Sequence, residues 1–158
     1  MLNLRLIPVL ALAVLVMGCD ALFDDSETVW DGRVVEFQPT SASVTFEAGS
    51  DATATHAATV QFVAAQEAND NTITFMVDEE ATSAEAGVHY ELVNDGSVTL
   101  PSNSSATDIE INILGGNLDD GESVQLVLEL TDDGDVSPSE NYKRYTLSIA
   151  KEEPEDDE

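Results

Sequence analysis

Apolar and polar residues alternate along most of the chain between residues 33 and 150. A period of two places every second side chain on the same face of an extended strand, which is typical of strands with one buried face. Clusters of Gly, Asp, Asn, Ser and Pro, which favour turns, separate the alternating segments. The pattern predicts nine strands: residues 33–38, 43–47, 57–63, 72–77, 89–93, 97–100, 108–114, 123–130 and 142–150.

Four of these strands have a clear apolar face. Its members are Ile73, Phe75 and Val77; Ile109, Ile111 and Ile113; Val124, Leu126, Leu128 and Leu130; and Tyr145, Leu147 and Ile149. No long segment repeats apolar residues at helical spacing, and only residues 63–68 could form a helical turn. Seven to nine short strands, each with one apolar face, are what two packed antiparallel sheets require. The sequence therefore predicts an all-β, immunoglobulin-like antiparallel β-sandwich of seven to nine strands over residues 33–150.

The first nineteen residues have the organisation of an export signal. Arg5 precedes an apolar run, residues 6–17, that is too short to span a membrane, and the small residue Gly18 comes before Cys19. The string Val16-Met17-Gly18-Cys19 resembles a bacterial lipobox, in which a diacylglycerol is attached to the cysteine thiol. The resemblance implies a lipoprotein signal peptide over residues 1–18 and lipidation of Cys19. The alternative is an unmodified thiol after an ordinary secretory signal.

Cys19 is the only cysteine, so the chain cannot form an internal disulfide, and a free thiol would be open to oxidation outside the cytoplasm. Lipidation would consume that thiol. The acyl chains would anchor the protein without a spanning helix, because each buried methylene contributes about 0.8 kcal/mol. We therefore expect a protein of the cell envelope that is lipid-anchored to a bacterial membrane, at the outer membrane or cell surface. Residues 19–32 are predicted to be the lipidated cysteine and an acidic tether.

The net charge of the chain limits the kinds of partner that it can bind. The 158 residues include 32 acidic and 5 basic side chains, which gives a formal charge of -27. Such an excess of acids repels a phosphate backbone and excludes nucleic acid as a partner. The acids are spread from Asp20 to the last residue, which favours a solvated coat of the halophilic kind. An acidic partner-binding surface and a set of cation sites are the alternatives. Residues 151–158 are predicted to be an acidic disordered tail.

The middle of the chain carries a family resemblance. Its points are Ala86-Gly87-Val88-His89-Tyr90, the pair Leu100-Pro101, the strand with Ile109, Ile111 and Ile113, and Asp120-Gly121-Glu122 before Val124-Gln125-Leu126-Val127-Leu128. Together they resemble a Calx-beta repeat, most clearly over residues 72–130. Members of that family are immunoglobulin-like sandwiches, and some bind Ca²⁺ through carboxylates at one end of the sandwich. The resemblance implies the same fold here, in a bacterial lipoprotein with a Calx-beta-like domain.

A calcium site needs six to eight oxygens that converge on one ion. If residues 89–93 belong to the connection and the other strands alternate in direction, the loops after residues 72–77 and 108–114 emerge at the same end, and an early strand can add one more acid. This predicts a metal site at Glu47, Asp78, Glu79, Asp119, Asp120 and Glu122. Solvated acidic loops that bind nothing are the alternative. Gly115-Gly116 stands where calcium-binding members of the family carry a pair of acids.

The sequence contains no motif for zinc binding, for nucleophilic hydrolysis or for phosphate binding. The two histidines, His56 and His89, have no cysteine partners at zinc spacing, and no Gly-x-Ser-x-Gly elbow or phosphate-binding loop occurs. We therefore expect no enzyme. The sequence predicts a non-catalytic binding or structural module that meets another envelope protein or a glycan through loops or a sheet edge. The alternative is a calcium-dependent adhesive or stability module of the cell surface.

Overall fold

The computed structural model describes residues 32–155, which form ten strands and one short helix. The strands are β1 (Val34–Phe37), β2 (Ser41–Phe46), β3 (Thr53–Val63), β4 (Asn71–Val77), β5 (Tyr90–Leu92), β6 (Ser97–Leu100), β7 (Ala106–Leu114), β8 (Ser123–Thr131), β9 (Ser137–Pro138) and β10 (Arg144–Lys151). A 3-10 helix, Gly115–Asn117, follows β7. The predicted signal peptide, Cys19, nearly all of the tether and the last three residues lie outside the described range.

The ten strands make two five-stranded sheets. Sheet A has the order β5-β7-β3-β1-β9, and sheet B has the order β2-β10-β8-β4-β6. Six of the eight strand pairs are antiparallel, whereas β1 with β9 and β2 with β10 are parallel. The chain passes from sheet A to sheet B between β1 and β2, across Gln38-Pro39-Thr40. Two sheets packed face to face confirm the predicted β-sandwich.

The core lies between the inner faces of the two sheets. In β7 the inward residues Ile109, Ile111 and Ile113 are completely buried, as are Leu147 and Ile149 in β10. The polar residues between them point outward, so the period of two in the sequence is the physical cause of the two faces. Burial of each such aliphatic side chain contributes about 1.5–3 kcal/mol.

All nine predicted strands are present, with differences at their ends. β3 begins at Thr53, four residues before the predicted start, because the small inward residue Ala54 belongs to the same face as Ala58. The two-residue strand β9 was not predicted. Residues 63–68 contain strand end and bends but no helical turn. β10 runs one residue further than predicted, so Lys151, assigned to the tail, is part of the sheet.

Within residues 32–155, no helix has both the length and the apolar character that crossing a membrane would require.

Candidate functional site

Four of the six acids predicted to bind metal lie at one end of the sandwich, which we call the acidic pole: Glu47, Asp119, Asp120 and Glu122. Glu47 directly follows β2, and the other three lie between the 3-10 helix and β8. β2 and β10 run in parallel and end here, while the antiparallel strand β8 begins here. The strand directions therefore bring these four acids to the same end.

A lysine occupies the interior of the acidic pole. Lys151 is the next inward residue of β10 after Ile149, and its side chain is only 6% exposed. Its Nζ atom donates a hydrogen bond to the carbonyl oxygen of Leu118 at 3.0 Å and lies 3.6 Å from Oδ1 of Asp120. The same Oδ1 accepts a hydrogen bond from the backbone N–H of Gly49 at 2.8 Å. Asp120 therefore already has a cationic partner and a backbone donor.

Asp119 and Glu122 are joined to each other through the backbone. Oε2 of Glu122 accepts a hydrogen bond from the N–H of Asp119 at 2.8 Å, and the N–H of Glu122 donates to the carbonyl of Asp119 at 2.9 Å. Oε1 of Glu122 lies 3.9 Å from Nε2 of His89. Nδ1 of His89 accepts from the N–H of Glu85 at 2.9 Å, so in the neutral ring the proton is on Nε2, facing Glu122.

Asp78 and Glu79 lie elsewhere. The N–H of Asp78 donates to the carbonyl of Val127, in the middle of β8, at 2.9 Å. This point is about 13–16 Å along the strand from the acidic pole, at about 3.3 Å per residue. Oδ2 of Asp78 is paired with Arg144 at 2.9 Å. Glu79 lies close enough to Tyr90 to raise its pKa, although burial of the Tyr90 hydroxyl is the larger cause. Among residues 32–155, neither acid belongs to a group of three or more side chains that could hold a metal ion.

Gly115 and Gly116 are closely covered by neighbouring residues. A Cβ atom built on Gly115 would lie 2.6 Å from the ring of Phe46 and 2.7 Å from the carbonyl oxygen of Ala52, and one built on Gly116 would lie 3.1 Å from Cα of Asp51. Side chains at these positions would therefore displace their surroundings. Within residues 32–155, no three His, Cys, Asp or Glu side chains form a group that could hold a metal ion. Calcium binding by the predicted residues stays a prediction of the sequence, and the contacts of these acids do not favour it.

A second candidate site is an open groove where the chain crosses from sheet A to sheet B. The groove has a volume of about 440 Å³, and its lining residues are Glu36, Phe37, Gln38, Pro39, Thr40 and Tyr142. Tyr142 is 50% exposed, which makes it one of three large apolar side chains with such exposure among the described residues. Polar groups that can donate or accept hydrogen bonds flank this ring and the pyrrolidine ring of Pro39. Sequence analysis did not select these residues, since no motif contains them.

Backbone hydrogen bonds hold both walls of the groove. The N–H of Phe37 donates to the carbonyl of Tyr142 at 2.9 Å, and the N–H of Gln38 donates to the carbonyl of Thr59 at 3.1 Å. The N–H of Thr146 donates to the carbonyl of Thr40 at 3.0 Å. Glu36 and Phe37 lie in β1, whereas Gln38, Pro39 and Thr40 lie in bends and Tyr142 lies in a turn. The backbone hydrogen bonds tie these connecting segments to the two sheets.

Beside the groove, two basic residues are already paired. Nζ of Lys143 lies 2.7 Å from Oε1 of Glu129, and Arg144 lies 2.9 Å from Oε2 of the same carboxylate. The hydrogen bond from Lys143 is the main cause that lowers the pKa of Glu129. Neither base lines the groove, and Glu36 is the one carboxylate among the residues that line it.

Comparisons with known proteins agree on the fold. No protein-family model matches the sequence, and no curated protein matches it. Two solved structures from Bacteroides ovatus, a candidate carbohydrate-binding protein and a protein of unknown function, superpose on 75% of the chain with TM-scores of 0.58 and 0.59, at 16% and 15% identity. The chain spans 37% and 44% of the length of these two proteins.

The apo form of the Calx CBD1 domain covers 80% of the chain and is itself covered over 99% of its length, with a TM-score of 0.55 at 14% identity. The calcium binding domain CBD12 of CALX1.1 superposes with a TM-score of 0.52 at 15% identity over 74% of the chain and 44% of its own length. At such identities the likeness concerns the fold alone. The chain has a Calx-beta-like, immunoglobulin-like β-sandwich fold.

Proposed function

We propose that this chain is a membrane-anchored lipoprotein of the cell envelope whose sandwich domain is a non-catalytic binding module, and that its ligand is a glycan bound at the Tyr142 groove. The exposed aromatic ring of Tyr142 beside polar side chains carries the proposal for the ligand. The lipobox-like string before Cys19 supports the proposal for the anchor.

The chemistry of the groove suits a sugar. One face of a pyranose ring is lined by C–H groups and packs well on a flat apolar surface, and its hydroxyls need donors and acceptors at the rim. Tyr142 and Pro39 supply the apolar surface, whereas Gln38, Thr40 and Glu36 supply the polar groups. One of the Bacteroides ovatus proteins with this fold is a candidate carbohydrate-binding protein, which supports the same class of ligand.

Binding without catalysis is the role that these residues favour. Glycoside hydrolysis needs two carboxyl groups on opposite sides of the scissile bond. The lining of the groove offers the single carboxylate of Glu36. The wider set of neighbours includes calcium-binding domains and a candidate carbohydrate-binding protein, which is consistent with a binding module.

Glycan binding is tested by calorimetry with oligosaccharides chosen from an array screen of the purified protein. We expect Tyr142→Ala to weaken the affinity at least tenfold, because the stacking surface is lost, and Gln38→Ala to weaken it less. Met76→Ala is the matched control, since Met76 is 52% exposed on β4 and does not line the groove. The proposal for the ligand fails if no oligosaccharide binds, or if Tyr142→Ala binds as tightly as the wild type.

Anchoring is tested separately by fractionating cells that express the full chain. The Cys19→Ser variant cannot be lipidated and should move from the membrane fraction to the soluble fraction. Metabolic labelling with a fatty acid should mark the wild type and leave the variant unlabelled. Membrane retention of an unlabelled wild type would contradict the lipoprotein assignment and would leave the glycan proposal untouched.

A further inference from the structure

β2 is the longest strand at an edge of either sheet. Among residues 32–155, the four edge strands are β5, β9, β6 and β2, with three, two, four and six residues. Long edge strands carry unpaired backbone groups, and proteins commonly protect them with charged side chains, proline or bulges. The sequence of β2, Ser-Ala-Ser-Val-Thr-Phe, contains no charge and no proline. No strand among residues 32–155 pairs with the outer side of β2, which is therefore an edge that can accept another strand.

The alternation of backbone groups shows which residues face the free edge. Where β2 begins, the carbonyl of Thr40 accepts from Thr146, and where it ends, the carbonyl of Phe46 accepts from Glu152. Between these points the parallel register with β10 is continuous, so the even-numbered residues bond to β10. The N–H and C=O groups of the odd-numbered residues Ser41, Ser43 and Thr45 consequently point away from the sheet.

The surface next to this edge is also free of charge. The outward residues of β2 and of the adjoining part of β10 are Ser41, Ser43, Thr45, Thr146, Ser148 and Ala150. In a chain with 32 acidic residues among 158, such a neutral stretch is a place where two copies can approach each other without bringing like charges into contact. Its side chains are small, which allows two backbones to come close.

We propose that two copies of this chain pair through β2, antiparallel and two-fold symmetric about Ser43, so that their B sheets become one continuous sheet of ten strands. With Ser43 opposite Ser43 of the second copy, Ser41 faces Thr45 on both sides of the axis. All three are then hydrogen-bonded pairs, each exchanging two bonds, so the six free groups of each chain form six bonds. A two-fold axis makes the contact closed, so the dimer does not extend into a fibre.

This register also separates the nearest charges. Glu47, the first acid after β2, lies opposite Pro39 of the second copy and about 26 Å along the strand from the second Glu47, at about 3.3 Å per residue. On the inner side of β2, Ala42 and Val44 are only partly buried against the core. Pairing places Val44 beside Ala42 of the second copy and covers the exposed parts of both.

The first test measures the mass of the full chain by sedimentation, in mild detergent and with Cys19→Ser to remove the native thiol. In about 2 M KCl, where charges are screened beyond about 3 Å, we expect a dimer. Ser43→Pro removes one free N–H but no bond to β10, which edge strands tolerate, and should raise the dimer dissociation constant at least tenfold. Ser43→Ala keeps the N–H and should dimerise like the parent. A parent that stays monomeric, or a Ser43→Pro variant that associates equally well, overturns the proposal.

The second test measures the register. In the same cysteine-free background, Ser43→Cys should be joined to its copy by a short bis-maleimide, because the two side chains meet at the axis. Ser41→Cys alone should not, since the two positions lie about 13 Å apart along the strands, whereas Ser41→Cys combined with Thr45→Cys should. Thr55→Cys, exposed on the interior strand β3 of sheet A, is the control for random collision. Equal cross-linking at Ser41, Ser43 and Thr55 overturns the two-fold pairing.

Discussion

The imidazole of His56 and the hydroxyl of Tyr145 form a hydrogen bond that joins β3 of sheet A to β10 of sheet B. The two rings stack with their centroids 6.0 Å apart. The ring of Phe37 also contacts Tyr145, with the two ring centroids 5.3 Å apart. Tyr145 is 1% exposed. A titratable pair, with Tyr145 buried and His56 partly buried, thus lies between the two sheets, and its protonation state is linked to the stability of the sandwich.

This link predicts that stability falls on mild acidification. Burial lowers the pKa of His56 below its usual value of about 6.5, so between these two pKa values the unfolded chain binds a proton that the folded protein does not. The free energy of unfolding should therefore decrease as the pH falls below about 6.5, by at most about 1.4 kcal/mol per pH unit. Urea unfolding at a series of pH values measures this slope.

The matched variants are His56→Gln, which can still bond to Tyr145 but does not titrate, and His89→Gln, which retains the pair. We expect the first to lose the slope near pH 6 and the second to keep it. Equal slopes in His56→Gln and the wild type would show that another group is responsible.

Lys151 should stabilise the acidic pole. In Lys151→Met the carbonyl of Leu118 and the carboxylate of Asp120 lose their partner, and one unsatisfied buried acceptor costs about 1–3 kcal/mol. We expect a loss of this size in urea unfolding at high salt. Adding Asp120→Asn to Lys151→Met should recover part of it, because no unpaired charge remains. If Lys151→Met were as stable as the wild type, the polar contacts of the lysine would not contribute to stability.

Calcium should change the stability of the domain little. A site with a dissociation constant near 10⁻⁴ M would stabilise the fold by about 2.3 kcal/mol in about 5 mM CaCl₂, which is several degrees of melting temperature. Asp120 and Glu122 are instead engaged by Lys151, Gly49 and Asp119. We expect melting curves of residues 20–158 to coincide in EDTA, CaCl₂ and MgCl₂. A shift with calcium alone would support the metal-dependent module and would direct mutagenesis to Asp120 and Glu122.

Salt should have a large effect. The charge of -27 repels itself in dilute buffer, and about 1 M salt shortens the screening length to about 3 Å. The melting temperature of residues 20–158 should therefore be higher in about 2 M KCl than in about 0.05 M KCl. Sucrose, which favours compact states without screening charge, is the control. Equal melting temperatures in the two KCl solutions would refute the interpretation of the acidic side chains as a solvated coat of the halophilic kind.

The sequence predicted the sheets well because large apolar residues alternate in most strands. β9 escaped prediction since it is two residues long, contains Pro138, and depends on a parallel contact with β1 that only the folded chain provides. The first part of β3 escaped because its inward residues, Ala54 and His56, are not large aliphatics.

The sequence predicted the four acids of the acidic pole but grouped Asp78 with them. Strand direction alone places Glu47 and Asp119 at the same end. Asp78 is different, because after β4 the chain continues alongside β8, and Ser83 and Ala84 still donate to the carbonyl of Gln125. A prediction from alternating strand directions assumes that the chain turns back where a strand ends. It cannot predict a connecting segment that continues alongside the neighbouring strand, as the residues after β4 do. For Lys151 a signal existed: Tyr145, Leu147 and Ile149 face inward, and the next residue on that face is 151.

The position of β1 determines how the domain would carry a mechanical load. β1 lies between β3, with four paired residues, and β9, with two. A pull on residue 32 that is directed along this strand would strain the hydrogen bonds on both sides together, in shear, instead of opening them one after another. In the lipid-anchored form proposed above, this doubly paired strand would be the first part of the sandwich to receive tension.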